Sequence, residues 1–162
     1  DYDFSILKSV LKVNKSQKKS LIPKISNFFN DDLAGKKVAI WGLAFKPNTD
    51  DIREAPSIDI INELLLQDVQ ISAYDPEAMA NMKRIYGDKV EFCVDAYSTL
   101  NDADCLVVCT EWSEFISPSF PKILELMKTP AIFDGRNIFD LEVMESYGFH
   151  YESVGRKVIL RK

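Results

Sequence analysis

The chain has 162 residues, 46% hydrophobic and 28% charged, enough for one domain with a real core and too few for two full ones. A formal net charge of −5 argues against general nucleic-acid binding, and no apolar run approaches the ~20 residues of a membrane span; no signal-peptide pattern is present. Cys93, Cys105 and Cys109 lie in or beside apolar strand candidates, as buried thiols of a reducing, cytoplasmic compartment would, and around the single histidine, His150, no Cys/His/Asp cluster suggests a metal site.

Charge is unevenly spread. Residues 1–30 hold six lysines against Asp1 and Asp3, a balance of +4 that leaves −9 for the remainder. Within this basic opening Ile6, Leu7, Val10, Leu11, Leu21, Ile25, Phe28 and Phe29 recur at helical spacing, which predicts one long helix kinked or interrupted at Pro23. Such a helix needs a partner for its apolar stripe. After a linker at Asp31–Gly35, strands and helices alternate. The predicted strands are 37–44, 69–74, 90–94, 105–109, 131–134 and 151–154; the predicted helices are 57–67, 77–85, 96–101, 120–127 and 141–147. Cys105-Leu106-Val107-Val108-Cys109, polar only at its ends, reads as a central parallel strand covered on both faces. The pattern is α/β: a doubly wound, mostly parallel six-stranded sheet preceded by a long helix. The tail is expected to be ordered to Leu160.

The chemistry gathers in the loop after the first strand, Trp41 to Ser57. Pro47 forces Lys46 towards an extended backbone, so that its side chain projects from the strand end. Arg53 adds a second cation, Asp50, Asp51 and Glu54 can orient both, and Pro56 suits the first turn of the following helix. This reads as anion binding, a nucleotide or sugar phosphate, against the plainer reading of a charged surface loop. Only Gly42 stands in the turn, so the GxGxxG dinucleotide fingerprint is not met. Asp75 at the end of the second strand could hold a ribose, but Asp75-Pro76 suits a turn and the missing glycines favour that reading. Glu111 and Trp112 follow the fourth strand at the same sheet edge; Trp112 could stack on a base or cover the rim of the core. Gly135 permits a tight exit from the fifth strand and would place Arg136, a fork for carboxylate, phosphate or uracil carbonyl, over that edge, unless it merely pairs with Asp134 or Asp140.

The run from Gly42 through Phe45-Lys46-Pro47-Asn48-Thr49 and Arg53-Glu54-Ala55-Pro56-Ser57 resembles the C-terminal-domain signature of the nucleotide-sugar 6-dehydrogenases, the UDP-glucose, GDP-mannose and UDP-N-acetylmannosamine enzymes. Thr110-Glu111-Trp112 and Phe133-Asp134-Gly135-Arg136-Asn137 agree with it, and the Pro-Asn-Thr and Glu-Ala-Pro-Ser variants look most like the UDP-glucose enzyme. The resemblance implies a Rossmann-like domain at 31–162 that binds a nucleotide sugar, with residues 1–30 as the end of a central inter-domain helix that contributes to a homodimer. By resemblance, Phe45, Lys46 and Arg136 contact the substrate and Arg53 the cofactor. NAD would sit mainly on an N-terminal domain, together with the catalytic cysteine, and none of this chain's cysteines lies in that motif. The family oxidises the sugar C6 alcohol to a carboxylate with two NAD; this chain by itself is expected not to catalyse. A receiver or flavodoxin module is disfavoured, because the first strand ends in Leu43-Ala44-Phe45-Lys46 instead of an acidic cluster or a Ser/Thr-rich phosphate loop.

Overall fold

The computed structural model describes residues 4–161. Six strands form one sheet: β1 (Lys37–Trp41), β2 (Gln70–Tyr74), β3 (Glu91–Phe92), β4 (Cys105–Val108), β5 (Ala131–Asp134) and β6 (His150–Ser153). Their order is β3-β2-β1-β4-β5-β6 and every neighbouring pair is parallel. Sequential order therefore reverses between β1 and β4, and the exits of those strands flank the crevice where open α/β sheets take ligands. β1, β4 and β5 are buried along almost their whole length, as their unbroken apolar runs require.

Seven helices accompany the sheet among the described residues: α1 (Ser5–Lys18), α2 (Ile22–Phe28), α3 (Pro56–Leu65), α4 (Met79–Tyr86), α5 (Ser113–Ile116), α6 (Phe120–Leu126) and α7 (Leu141–Ser146). The long opening helix is present but breaks at Lys19–Leu21. Pro23 has no N–H to bond the Lys19 carbonyl; the Ile22 N–H takes it instead at 3.1 Å in a tighter turn, and Pro23 falls in the first turn of α2. The two pieces behave differently. α2 drives Leu21 and Ile25 into the core and sets Phe28 edge-on against Phe133 at 5.8 Å. α1 has no buried residue: its Ile6, Leu7, Val10 and Val13 are exposed, and so is Leu11, at the border of the cleft. Lys18 to Glu54 and Lys19 to Glu63 tie its end to the α3 side of the domain.

Element ends shifted where local chemistry outweighed hydrophobic pattern. β1 stops at Trp41 instead of running to residue 44, because Gly42 turns the chain at φ +87°. The third strand keeps two residues of five, and 97–100 is a 3₁₀ turn. The tail adds one antiparallel bridge, Ile159 with Tyr151, so it is paired almost to the expected Leu160.

Candidate functional site

The loop leaving β1 is held from below by a single carboxylate. Asp75, 1% exposed at the end of β2, accepts N–H bonds from Leu43 (2.6 Å), Ala44 (3.0 Å), Glu77 (2.9 Å) and Ala78 (2.8 Å), and from Trp112 Nε1 (3.0 Å). Three strand exits thus converge on one side chain. The Ser57 hydroxyl donates to the Leu43 carbonyl (2.7 Å) and the Thr110 hydroxyl to that of Ala44 (2.6 Å). Gly42 lies so close to Thr110 that a Cβ there would sit 2.5 Å from Thr110 Cβ and 2.6 Å from its backbone nitrogen. Glycine here serves two needs, a positive φ and the close crossing of the β1 and β4 exits.

A dinucleotide does not fit this switch point. The N–H groups after β1 and the acidic residue ending β2, which would take pyrophosphate and ribose, are bonded to each other. The turn reading of Asp75 stands, extended by three tertiary bonds that sequence spacing could not show. Trp112 is 6% exposed with its indole N–H on Asp75, so it covers the core rim and offers no face for a base.

Above the loop lies a cleft of about 1030 Å³. Its walls are Leu11, Asn14, Lys15 and Lys18 of α1; Phe45; Glu54 and the first turns of α3; Val108 and Cys109 at the end of β4; and Gly135, Arg136 and Val154. Phe45 and Arg136, distant in sequence, meet in it. Phe45 is 47% exposed although its backbone is fixed, its N–H bonding the Asp51 carbonyl at 2.8 Å. Arg136 is paired, though with neither neighbour the sequence suggested: Nε reaches Glu111 Oε2 at 2.5 Å and Nη2 reaches Oε1 at 2.6 Å. Burial raises the Glu111 carboxyl, and the Arg136 hydrogen bond, a backbone N–H and the Arg136 charge together outweigh it, leaving it below its ordinary 4.5. Asp134 shapes the arginine's loop, accepting from the Arg136 N–H (2.8 Å) and the Ile138 N–H (2.7 Å).

Lys46 and Arg53 lie outside the cleft lining. Lys46 is exposed beside Phe45. Arg53, its side chain 88% exposed, forms a fork with Asp51 of its own loop (Nε–Oδ1 2.9 Å, Nη2–Oδ2 2.7 Å), and that hydrogen bond is the main cause holding the Asp51 carboxyl down at about 2. The loop acids do orient a cation, but Asp50 instead accepts from Asn81 (3.2 Å) and Glu54 pairs with Lys18. The sequence reading missed Lys15 and Lys18 as cleft residues. Their signal was the basic side of α1, legible only once α1 was known to arch over the strand ends.

Burial pushes the thiols of Cys93, Cys105 and Cys109 up, Cys109 to about 12, which disfavours the nucleophilic thiolate. Among the described residues no His/Cys/Asp/Glu group is arranged to hold a metal, and no helix is long and apolar enough to cross a membrane.

Residues 39–141 match the UDP binding domain of the UDP-glucose/GDP-mannose dehydrogenase family. The chain is 36% identical over 98% of its length to UDP-glucose 6-dehydrogenase TuaD of Bacillus subtilis, covering 34% of that protein. It is 41% identical over 96% of its length to the UDP-glucose 6-dehydrogenase of Rickettsia typhi, covering 36% of it. The chain thus spans about a third of the curated relatives it matches. Among solved structures, a UDP-glucose dehydrogenase from Pyrobaculum islandicum superposes with a TM-score of 0.71 at 27% identity, over 81% of this chain and 28% of that one. An NDP-N-acetyl-D-galactosaminuronic acid dehydrogenase from Methanosarcina mazei shares the fold, with a TM-score of 0.77 at 23% identity, over 97% of this chain and 33% of that one. The chain belongs to the UDP-glucose/GDP-mannose dehydrogenase family, in which it corresponds to the UDP binding domain.

Proposed function

We propose that this chain is the sugar-nucleotide-binding part of a cytoplasmic UDP-glucose 6-dehydrogenase, which oxidises UDP-glucose to UDP-glucuronate while two NAD are reduced. The observation that carries the reading is the meeting of Phe45 and Arg136 across one cleft at the strand ends. Phe45 offers a partly exposed face to a base or sugar, and Lys46, next in the chain, serves hydroxyl groups of the sugar or the nucleotide. Support for glucose over other hexoses comes from the UDP-glucose 6-dehydrogenases among the curated relatives. The same domain of a GDP-mannose or UDP-N-acetylmannosamine dehydrogenase is the alternative.

NAD and the reacting thiol belong to other parts of the protein in this reading. The saturated Asp75 and the buried cysteines support that division. Arg53, at the exposed rim of the loop, reaches the cofactor held there. The segment up to residue 30 joins the two halves, and the outward stripe of α1 packs against that remainder and its dimer mate.

Calorimetric titration of this chain with UDP-glucose, UDP and GDP-mannose tests the proposal. UDP-glucose and UDP should bind, GDP-mannose more weakly, and Phe45→Ala and Arg136→Ala should each weaken UDP about tenfold or more, the loss of one stacking or charged hydrogen-bond contact. Preference for GDP-mannose would favour the alternative. Binding indifferent to both substitutions would remove the cleft as the site.

A further inference from the structure

We propose that Glu111 decides what Arg136 can recognise: held by Glu111, Arg136 donates to a neutral part of the ligand, the base or ribose of a nucleotide, and does not serve as the hook for its phosphates. This deepens the proposed nucleotide-sugar reading and rests on it for the identity of the ligand.

The side-on edge of a guanidinium, Nε with one Nη, is one of its two forks for a phosphate or carboxylate, the end-on pair of Nη groups being the other. In Arg136 that edge is filled from within the protein, at 2.5 and 2.6 Å. Of five N–H donors, Nη1 and the outer hydrogen of Nη2 are left for a ligand. The two side chains are 36% and 33% exposed, so water screens the pair only partly and its charges largely cancel towards the cleft. A phosphate brought to the remaining donors would meet the Glu111 carboxylate as well; a carbonyl or hydroxyl would not.

Backbone anchoring prevents the arginine from escaping by moving its loop. Asp134 holds the N–H groups of Arg136, Ile138 and Phe139. Asn137 bonds Val154 in both directions at 3.0 Å, and Arg156 Nη1 donates to the carbonyls of Asn137 (3.4 Å) and Phe139 (3.1 Å). Glu111 is fixed from the other side, since the next residue, Trp112, is anchored on Asp75. The cleft has another cation for phosphates in Lys15, on the α1 wall.

The test follows the Arg136 side-chain N–H signals by NMR in this chain and in Glu111→Gln, which keeps the shape and removes the charge. Each is titrated separately with uridine, UDP and inorganic pyrophosphate. In the unaltered chain uridine and UDP should move the Arg136 signals and pyrophosphate should not. In Glu111→Gln pyrophosphate should engage Arg136, and its affinity should rise about tenfold, the size of one charge-assisted contact. As a second measurement independent of that variant, Arg136→Ala should weaken uridine and UDP by the same factor. Pyrophosphate on Arg136 of the unaltered chain, or an Arg136→Ala loss seen with UDP and absent with uridine, overturns the inference. If neither uridine nor UDP reaches Arg136, while Glu111→Gln still gains pyrophosphate, the nucleotide reading fails and the charge-cancelling part of Glu111 stands.

Discussion

Asp75→Asn is the most informative single change in the protein. The replacement keeps volume and shape but can present only one oxygen. If that oxygen takes the place of Oδ2, it keeps the bonds from Leu43, Ala44 and Trp112, and the new NH₂ faces the N–H groups of Glu77 and Ala78, formerly 2.9 and 2.8 Å from Oδ1. Two bonds to a charged acceptor are lost at about 1.5–3 kcal/mol each, so the cost is about 3–6 kcal/mol; the opposite flip loses three bonds and costs more. For a domain whose whole stability is of the order of 5–15 kcal/mol, that is a large fraction, and the midpoint should fall by roughly 6–24 °C. Urea and thermal unfolding followed by far-ultraviolet circular dichroism, with linear extrapolation, measure it. A ribose-holding Asp75 would behave otherwise: stability within about 0.5 kcal/mol of the unaltered chain, as for a surface-facing change, together with altered nucleotide binding, would refute the structural assignment.

Other substitutions probe separate elements. Gly42→Ala adds a Cβ 2.5 Å from Thr110 Cβ at φ +87°, and the combined strain and overpacking should cost about 2–5 kcal/mol in the same unfolding assay. Leu11→Asp, on the outward stripe of α1, should leave this chain's midpoint within about 0.5 kcal/mol, as for an exposed site, but reduce the oligomer size of the full-length protein in sedimentation. The Glu111–Arg136 pair carries a pH signature: its carboxyl lies lower folded than unfolded, so its contribution is complete above the ordinary 4.5 and is lost as pH falls through the folded value. Arg136 signals should therefore be unchanged from pH 5 to 8 and shift only in more acid solution. In the full-length enzyme Lys46→Ala should raise the substrate KM, and Arg53→Ala should weaken NAD with a smaller effect on substrate; saturation curves in each ligand separate the two.

The sheet was legible because its strands are short apolar runs punctuated by Gly, Pro and Asp, and the central Cys105–Cys109 run placed itself. The interruption of the opening helix was legible from Pro23, whose missing N–H breaks it at Lys19–Leu21. What escaped were features that depend on distant partners. Nothing local says that Asp75 bonds Trp112, or that Trp112 is thereby withdrawn from ligand binding. The partner of Arg136 was sought among its neighbours, Asp134 and Asp140, yet Glu111 on the adjacent strand exit lies nearer in space than in sequence. Lys15 and Lys18 read as the solvent side of a helix, because the fold alone brings α1 over the strand ends. Arg53 was readable as one of a loop's ions, and its partner Asp51 stands two residues away.

The most direct measurement is a crystal structure of this chain grown with UDP. The nucleotide should lie in the cleft between α1 and the strand ends, against Phe45 and Arg136, with Asp75 still bonded to Leu43, Ala44 and Trp112. UDP seated instead at the exit of β2, with the Asp75 carboxylate turned out onto its ribose, would contradict the assignment of the cleft and of Asp75 together.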